Sequence, residues 1–218
     1  MSAEKVENRA TKRSLILLAG AWIVALIFVA GFALPYFGFN PDTFGGYWVK
    51  RGWLLTHLAA GMVALLVGPF ALRLGLARKR MPLHRRLGVV YMVAIGLSSL
   101  AALYLSLHTD VSWVFGMGLF SLNLIWITTA GFALVAIRRR QIQQHQEWMI
   151  RSYVVTFGFV NFRILVGILT AIGVGTEIQR LEVGSWFCWS VPLVITEVIL
   201  QGRKMFSAPV ASTVGRAR

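Results

Sequence analysis

The stretch "LLTHLAAGMVALLVGPFALRLGLARKRMPLHRRLGVVYMVAIGLSSLAALYLSL", residues 54–107, holds two long apolar runs separated by a basic break, "ARKRMP", at 77–82. About 20 mainly apolar residues carry a helix across the hydrocarbon core of a bilayer, and each run reaches that length. Arg73, Arg78, Lys79, Arg80, Arg85 and Arg86 crowd the break. The pattern is two membrane helices joined by a charged turn, and the rest of the chain repeats it.

Composition agrees. The 218 residues are 57% apolar and 14% charged, against roughly 25% charged in an average soluble domain, too few to cover a soluble surface. The formal net charge of +14 sits in short clusters between apolar runs. That layout suits a protein facing an anionic cytoplasmic leaflet and argues against nucleic acid as a partner. The single cysteine, Cys188, excludes an intrachain disulfide and a CxxC site. The first apolar run is about 24 residues long and has no clear small-residue cleavage site, so it reads as a span and not as a signal peptide.

Six spans are expected, at 14–37, 53–76, 83–107, 112–137, 148–174 and 185–202, between a basic N-terminus (1–13) and a small, polar, flexible tail (203–218). The breaks carry the charges and turn residues, and Pro82 suits the first turn of the third helix. Of the 22 Lys and Arg residues, eighteen lie on one side, in the N-terminus, the loops after spans two and four, and the tail; Lys50, Arg51 and Arg180 lie on the other. The excess of basic residues on the inside predicts an all-α bundle with both termini in the cytoplasm. Trp48, Trp53, Trp113 and Trp186 fall near the outer boundary and Trp148 near the inner one, where indole rings settle.

Ionisable groups at membrane depth cost about 2.5–3.5 kcal/mol even on the insertion scale, which makes each a functional-site hypothesis. Arg163, in "FVNFRILVG", falls near the middle of span five, roughly 15 Å from either end. Its counter-charge is either Glu197 of span six or a bound anion; alternatively it bonds helix carbonyls and Asn123 and locks the bundle. Glu197 pairs with Arg203 or Lys204, or relays protons. The four histidines divide by face, with His84 and His145 inside and His57 and His108 outside. Gly61 follows His57, and Gly88 follows His84, by four residues, on the same helix face, where a missing side chain admits a flat ring or a neighbouring helix.

Two neutral imidazoles from different helices with small residues beside them are what a bis-histidine b-type haem requires. His84 and His145 are the expected ligands of its iron, with Arg151, Arg85 and Arg86 neutralising the propionates. Metal coordination by His84, His145 and Glu147, and purely structural histidines, are the alternatives. His57, Asn123 and Arg163 would line a second site toward the outer half, for another haem, a quinone head group or an anionic lipid. No GxGxxG, P-loop, GxSxG or HExxH motif occurs, so electrons would come from a quinol pool or a membrane redox partner.

The segments "THLAAGMVALLVGPFALR", "LHRRLGVVYM" and "HQEWMIRSYVVTFGFVNFR" resemble a family of bacterial and fungal predicted membrane proteins, the domain of unknown function 2306. His57, Gly68, Pro69, His84, Arg85, Gly88, Tyr91, His145, Trp148, Met149, Arg151, Ser152 and Arg163 match its pattern. The resemblance covers roughly residues 50 to 175 and omits His108. It implies a multi-pass protein of a bacterial inner (plasma) membrane; in shape the chain is also similar to b561-like cytochromes. The leading expectation is a haem-binding electron-transfer component. The runner-up is a non-enzymatic membrane subunit or a carrier of small solutes or lipids with structural histidines, and a third is a channel-like scaffold.

Overall fold

A computed structural model describes Ile16 and residues 18–206. The expected basic N-terminus 1–13, and residues 207–218 of the expected tail, lie outside the described residues. The described residues are helical, with no strand among them. The helices are α1 (Leu18–Gly38), α2 (Arg51–Leu76), α3 (Met81–Leu107), α4 (Trp113–Arg138), α5 (Ile142–Thr156), α6 (Gly158–Ala171) and α7 (Glu177–Phe206). Five of them, α1 to α4 and α7, are each long and apolar enough to cross a membrane; α5 and α6 together make a sixth if that bent pair is one span. The protein is therefore an all-α membrane protein with multiple helical spans.

Local sequence explains most boundaries. Near its end α1 loosens into a π turn, Val29–Ala33, and then tightens into a 3-10 turn, Leu34–Gly38. Pro35 lies in that last turn; it has no N–H to give and crowds the carbonyl one turn back. Ser112 caps α4 by accepting the Phe115 N–H at 3.1 Å. Thr128, Thr170, Ser190 and Thr196 each donate to a carbonyl four residues back on their own helix, which satisfies hydroxyls in apolar surroundings.

Two elements differ from the sequence expectation. The run expected as one span at 148–174 is two helices bent by 41° at Phe157. No proline marks the break. Thr156 Oγ1 donates to the Ser152 carbonyl at 2.8 Å just before it, a back-bond that eases bending but that continuous helices of this chain also carry. The final helix starts at Glu177, well before the apolar run at 185–202, because the polar turn "EIQRLEVG" continues the helix outward.

Packing places α2 against α3, α4 against α3 and α5, and α7 against α4, α5 and α6, with α2 also touching α5. Glycines allow the closest approaches. A Cβ on Gly68 would run into the Tyr153 ring, one on Gly118 into Ser185, and one on Gly184 into Phe162. At the centre lies Tyr91, fully buried. Its hydroxyl bonds Ser152 Oγ at 3.0 Å and Thr156 Oγ1 at 2.8 Å, and Trp126 Nε1 donates to the same Thr156 oxygen at 2.8 Å. Outward the helices present large apolar side chains, among them Val89, Leu100, Ile127 and Val198. So continuous an apolar exterior is soluble only in lipid.

Candidate functional site

Two cavities collect the polar residues of the bundle. The first, about 280 Å³, opens at the end where the basic turns gather, and its wall includes Ala71, Gly75, Arg78, His84, His145 and Met149. His84 stands in the first turn of α3 and His145 in the first turn of α5. Their rings lie 6.4 Å apart, centroid to centroid, at 81°. His84 Nδ1 is 2.9 Å from the Ala71 carbonyl of α2, and His145 Nδ1 is 2.8 Å from the Ala133 carbonyl of α4. A carbonyl only accepts, so each Nδ1 carries the proton and each Nε2 keeps its lone pair. That lock on the far nitrogen is the usual support of a metal-bound imidazole.

The residues expected around this pair divide. Gly75, not Gly88, makes room for an imidazole. A Cβ at position 75 would stand 2.7 Å from His84 Cε1, whereas one at Gly88 meets nothing within 4 Å. Arg151 is not on the cavity wall. It bonds Glu197 at 2.6 and 2.8 Å, lies 3.7 Å from Glu147, and stacks on Trp148 at 4.8 Å. Its charge is thus engaged by carboxylates, away from the cavity expected to hold the propionates. Glu147, held by Lys204 at 2.7 Å and by Arg151, stands with those cations rather than with His84 and His145. Among the described residues, no group of three His, Cys, Asp or Glu side chains is placed to hold a metal ion. Glu197, one of the counter-ions weighed for Arg163, belongs to Arg151 instead.

The second cavity, about 270 Å³, lies toward the opposite end, and its wall includes His57, Gly61, Asn123, Trp126, Phe159 and Arg163. Helices α2, α4 and α6 contribute one polar group each. His57 Nδ1 faces the Ser98 carbonyl at 3.1 Å and Ser98 Oγ at 2.9 Å, while that hydroxyl donates to the His57 carbonyl at 3.0 Å. The carbonyl again assigns the proton to Nδ1 and leaves Nε2 an acceptor. Asn123, 4% exposed, donates from Nδ2 to the Ser99 carbonyl at 3.1 Å. Its Oδ1 is buried without a hydrogen-bond partner. Arg163 makes no hydrogen bond or ion pair among the described residues; its guanidinium lies over Phe32 and Phe162, 5.4 and 5.9 Å from the ring centres. Gly61 serves the α2–α3 contact as well, since a Cβ there would touch Ser98 Oγ at 3.4 Å.

His108 is not part of this cavity wall. It stacks on Tyr104, 4.2 Å between ring centres, and bonds the Tyr104 carbonyl at 2.9 Å, while Lys50 bridges the His108 carbonyl and Asp110. Ser98 and Ser99, which hold His57 and Asn123, were not singled out from the sequence. The adjacent serines in the middle of an apolar run were the available signal.

A family model described as "Predicted membrane protein (DUF2306)" matches residues 54–200. No curated protein and no solved structure matches the chain. The matched region contains His57, His84, Asn123, His145 and Arg163 and excludes the whole of α1.

Proposed function

The chain belongs to the DUF2306 family of predicted membrane proteins, and from that premise we propose that it is a b-type haem-binding electron-transfer component of a bacterial plasma membrane. In this proposal it makes six spans, counting the bent α5–α6 pair as one, with both termini in the cytoplasm. The gathering of Arg73, Arg78–Arg80, Arg85, Arg86 and Arg138–Arg140 at one end of the bundle supports that orientation.

The observation that carries the proposal is the His84–His145 pair. His84 and His145 would hold the group, since their rings come from two different helices and their centres lie 6.4 Å apart on one cavity. Both Nε2 lone pairs are left open by carbonyl bonds at Nδ1. The donor set suits an iron held by two neutral histidines, and the cavity of about 280 Å³ between them must widen to take a porphyrin. When bound, haem supplies one-electron exchange between a donor in the bilayer and a membrane partner. The chain's own part is to hold and orient: Ala71 and Ala133 fix the ring planes and strengthen the imidazoles as ligands. Arg78 on the cavity wall, with Arg85 and Arg86 in the second turn of α3, would supply positive charge for carboxylates at the rim.

A second reading has an observation of its own. The same two bonds tie α3 to α2 and α5 to α4, which is sufficient reason to retain both histidines in a non-enzymatic membrane subunit or carrier. A reduced-minus-oxidised visible spectrum of the detergent-purified protein, with a pyridine haemochrome assay, separates the two. A b-type α-band that disappears in His84→Ala and His145→Ala is the expected result. A colourless, folded preparation from haem-replete cells refutes the haem assignment and leaves the histidines as struts.

A further inference from the structure

The cavity bounded by His57, Asn123 and Arg163 uses none of the groups that bear on haem. We propose that it is a binding site for a lipid-soluble hydroxy-aromatic molecule of the hydroquinone type, entering from the bilayer.

The chemistry of the wall selects the ligand. Five polar side chains lie on a mainly apolar, largely aromatic wall: His57, whose Nε2 is left as an acceptor, Asn123, whose Oδ1 is buried without a partner, Arg163, and the phenols of Tyr36 and Tyr47. The Asn123 amide cannot turn round to relieve its oxygen, because the nitrogen is already spent on the Ser99 carbonyl. A buried acceptor without a partner costs about 1–3 kcal/mol, and a donor on a ligand recovers it. His57 and Asn123 thus call for a hydrogen-bond donor and Arg163 for an acceptor, while Tyr36 and Tyr47 can serve either. A fatty-acid carboxylate or a phosphodiester head offers acceptors alone, and would set its oxygens against two lone pairs. A hydroxylated ring offers both kinds in one flat head: an O–H for Asn123 or His57, and an oxygen for Arg163.

Shape points the same way. Phe28, Phe32, Phe115, Phe159 and Phe162 contribute ring faces and edges to the wall, and aromatic side chains take flat rings by offset or edge contact. The volume, about 270 Å³, is on the scale of a single substituted ring, at the lower edge of small-molecule sites. An alkyl tail on such a ring would remain in lipid.

The test uses the full chain in lipid nanodiscs under anaerobic, reducing conditions, with tritiated decyl hydroquinone as probe. Its dimethyl ether and decanoate serve as competitors. Saturable binding at one site per chain is expected, with the ether about tenfold weaker or worse because it has lost its donors, and with no displacement by decanoate. Asn123→Leu and Arg163→Gln are each expected to weaken the probe by about tenfold, the loss of one desolvated hydrogen bond. Equal binding of ether and hydroquinone overturns the assignment, as does displacement by decanoate, which would give the cavity to an acyl acid. Unchanged binding in a variant with wild-type helicity and elution also overturns it. Should both variants fail to fold, the comparison of hydroquinone with its ether on the wild-type chain decides the matter alone. None of these readouts depends on whether haem is present.

Discussion

Replacing Arg151 by Met tests whether the charge cluster at the basic end holds the bundle together. The Arg151 side chain is 8% exposed and bonds Glu197 at 2.6 Å, while Glu147, 10% exposed, lies 3.7 Å away. Lys204 reaches Glu147 from α7 at 2.7 Å. Arg151 therefore joins α5 to α7 through one partner and neutralises a buried carboxylate through the other. Removing one member of a fully buried pair costs about 3–5 kcal/mol. Glu197 is 43% exposed, so water shares its charge and that figure is discounted to about 2–3 kcal/mol. For a chain of this length each kcal/mol moves the midpoint by about 2–4 °C, so the expected loss is about 4–12 °C. The assay is available in the molecule: Cys188 is the single cysteine and is 2% exposed. A thiol-activated fluorogenic maleimide in detergent therefore reports unfolding through one site. A second change, Glu197→Gln, removes the carboxylate that loses both its Arg151 bonds and should restore part of the loss, since Glu147 keeps Lys204. A midpoint for Arg151→Met within about 1 °C of wild type would refute the reasoning. It would return Arg151 to the pool of cations free to meet a ligand.

Three further outcomes follow from close contacts. Gly75→Ala drives a Cβ to 2.7 Å from the His84 ring; it should displace the ring from Ala71 and abolish any haem absorbance, whereas Gly88→Ala, with nothing within 4 Å, should leave the spectrum and the midpoint unchanged. Gly118→Ala overlaps Ser185 at the α4–α7 contact and should cost about 1–3 kcal/mol by the same thiol assay, against no loss for Gly131→Ala, whose Cβ is unopposed. Arg140 turns from α4 to α5 at φ 60°, a left-handed conformation that costs a non-glycine residue about 1 kcal/mol. Arg140→Gly should therefore raise the midpoint by about 2–4 °C, and a fall would show that its side chain matters more than its backbone.

The membrane class of the protein, its long apolar runs and its lopsided basic clusters are properties of contiguous residues, and the sequence alone determines them. Hydropathy sums along one helix, so α2, α3 and α4 are legible without knowledge of their neighbours. The break at Phe157 is not, because Thr128, Thr170, Ser190 and Thr196 make the same back-bond as Thr156 without a break, and what the bent halves pack against decides it. Pairing of groups distant in the chain is likewise a tertiary decision. His84 and His145 were singled out together, yet the glycine that admits the His84 ring is Gly75 of the preceding helix, not the Gly88 that shares its face by spacing. Arg151 has Glu147 four residues earlier in its own motif, but its shortest bonds go to Glu197, which lies on α7 and meets it only once α5 and α7 pack. His57, Asn123 and Arg163 are polar residues in apolar runs, which the sequence displays. That they line one cavity, with the Asn123 oxygen buried and unsatisfied, follows from the rotation of three helices about their axes. Rotation is set by which side chains interlock across the bundle, and no single run of sequence carries that information.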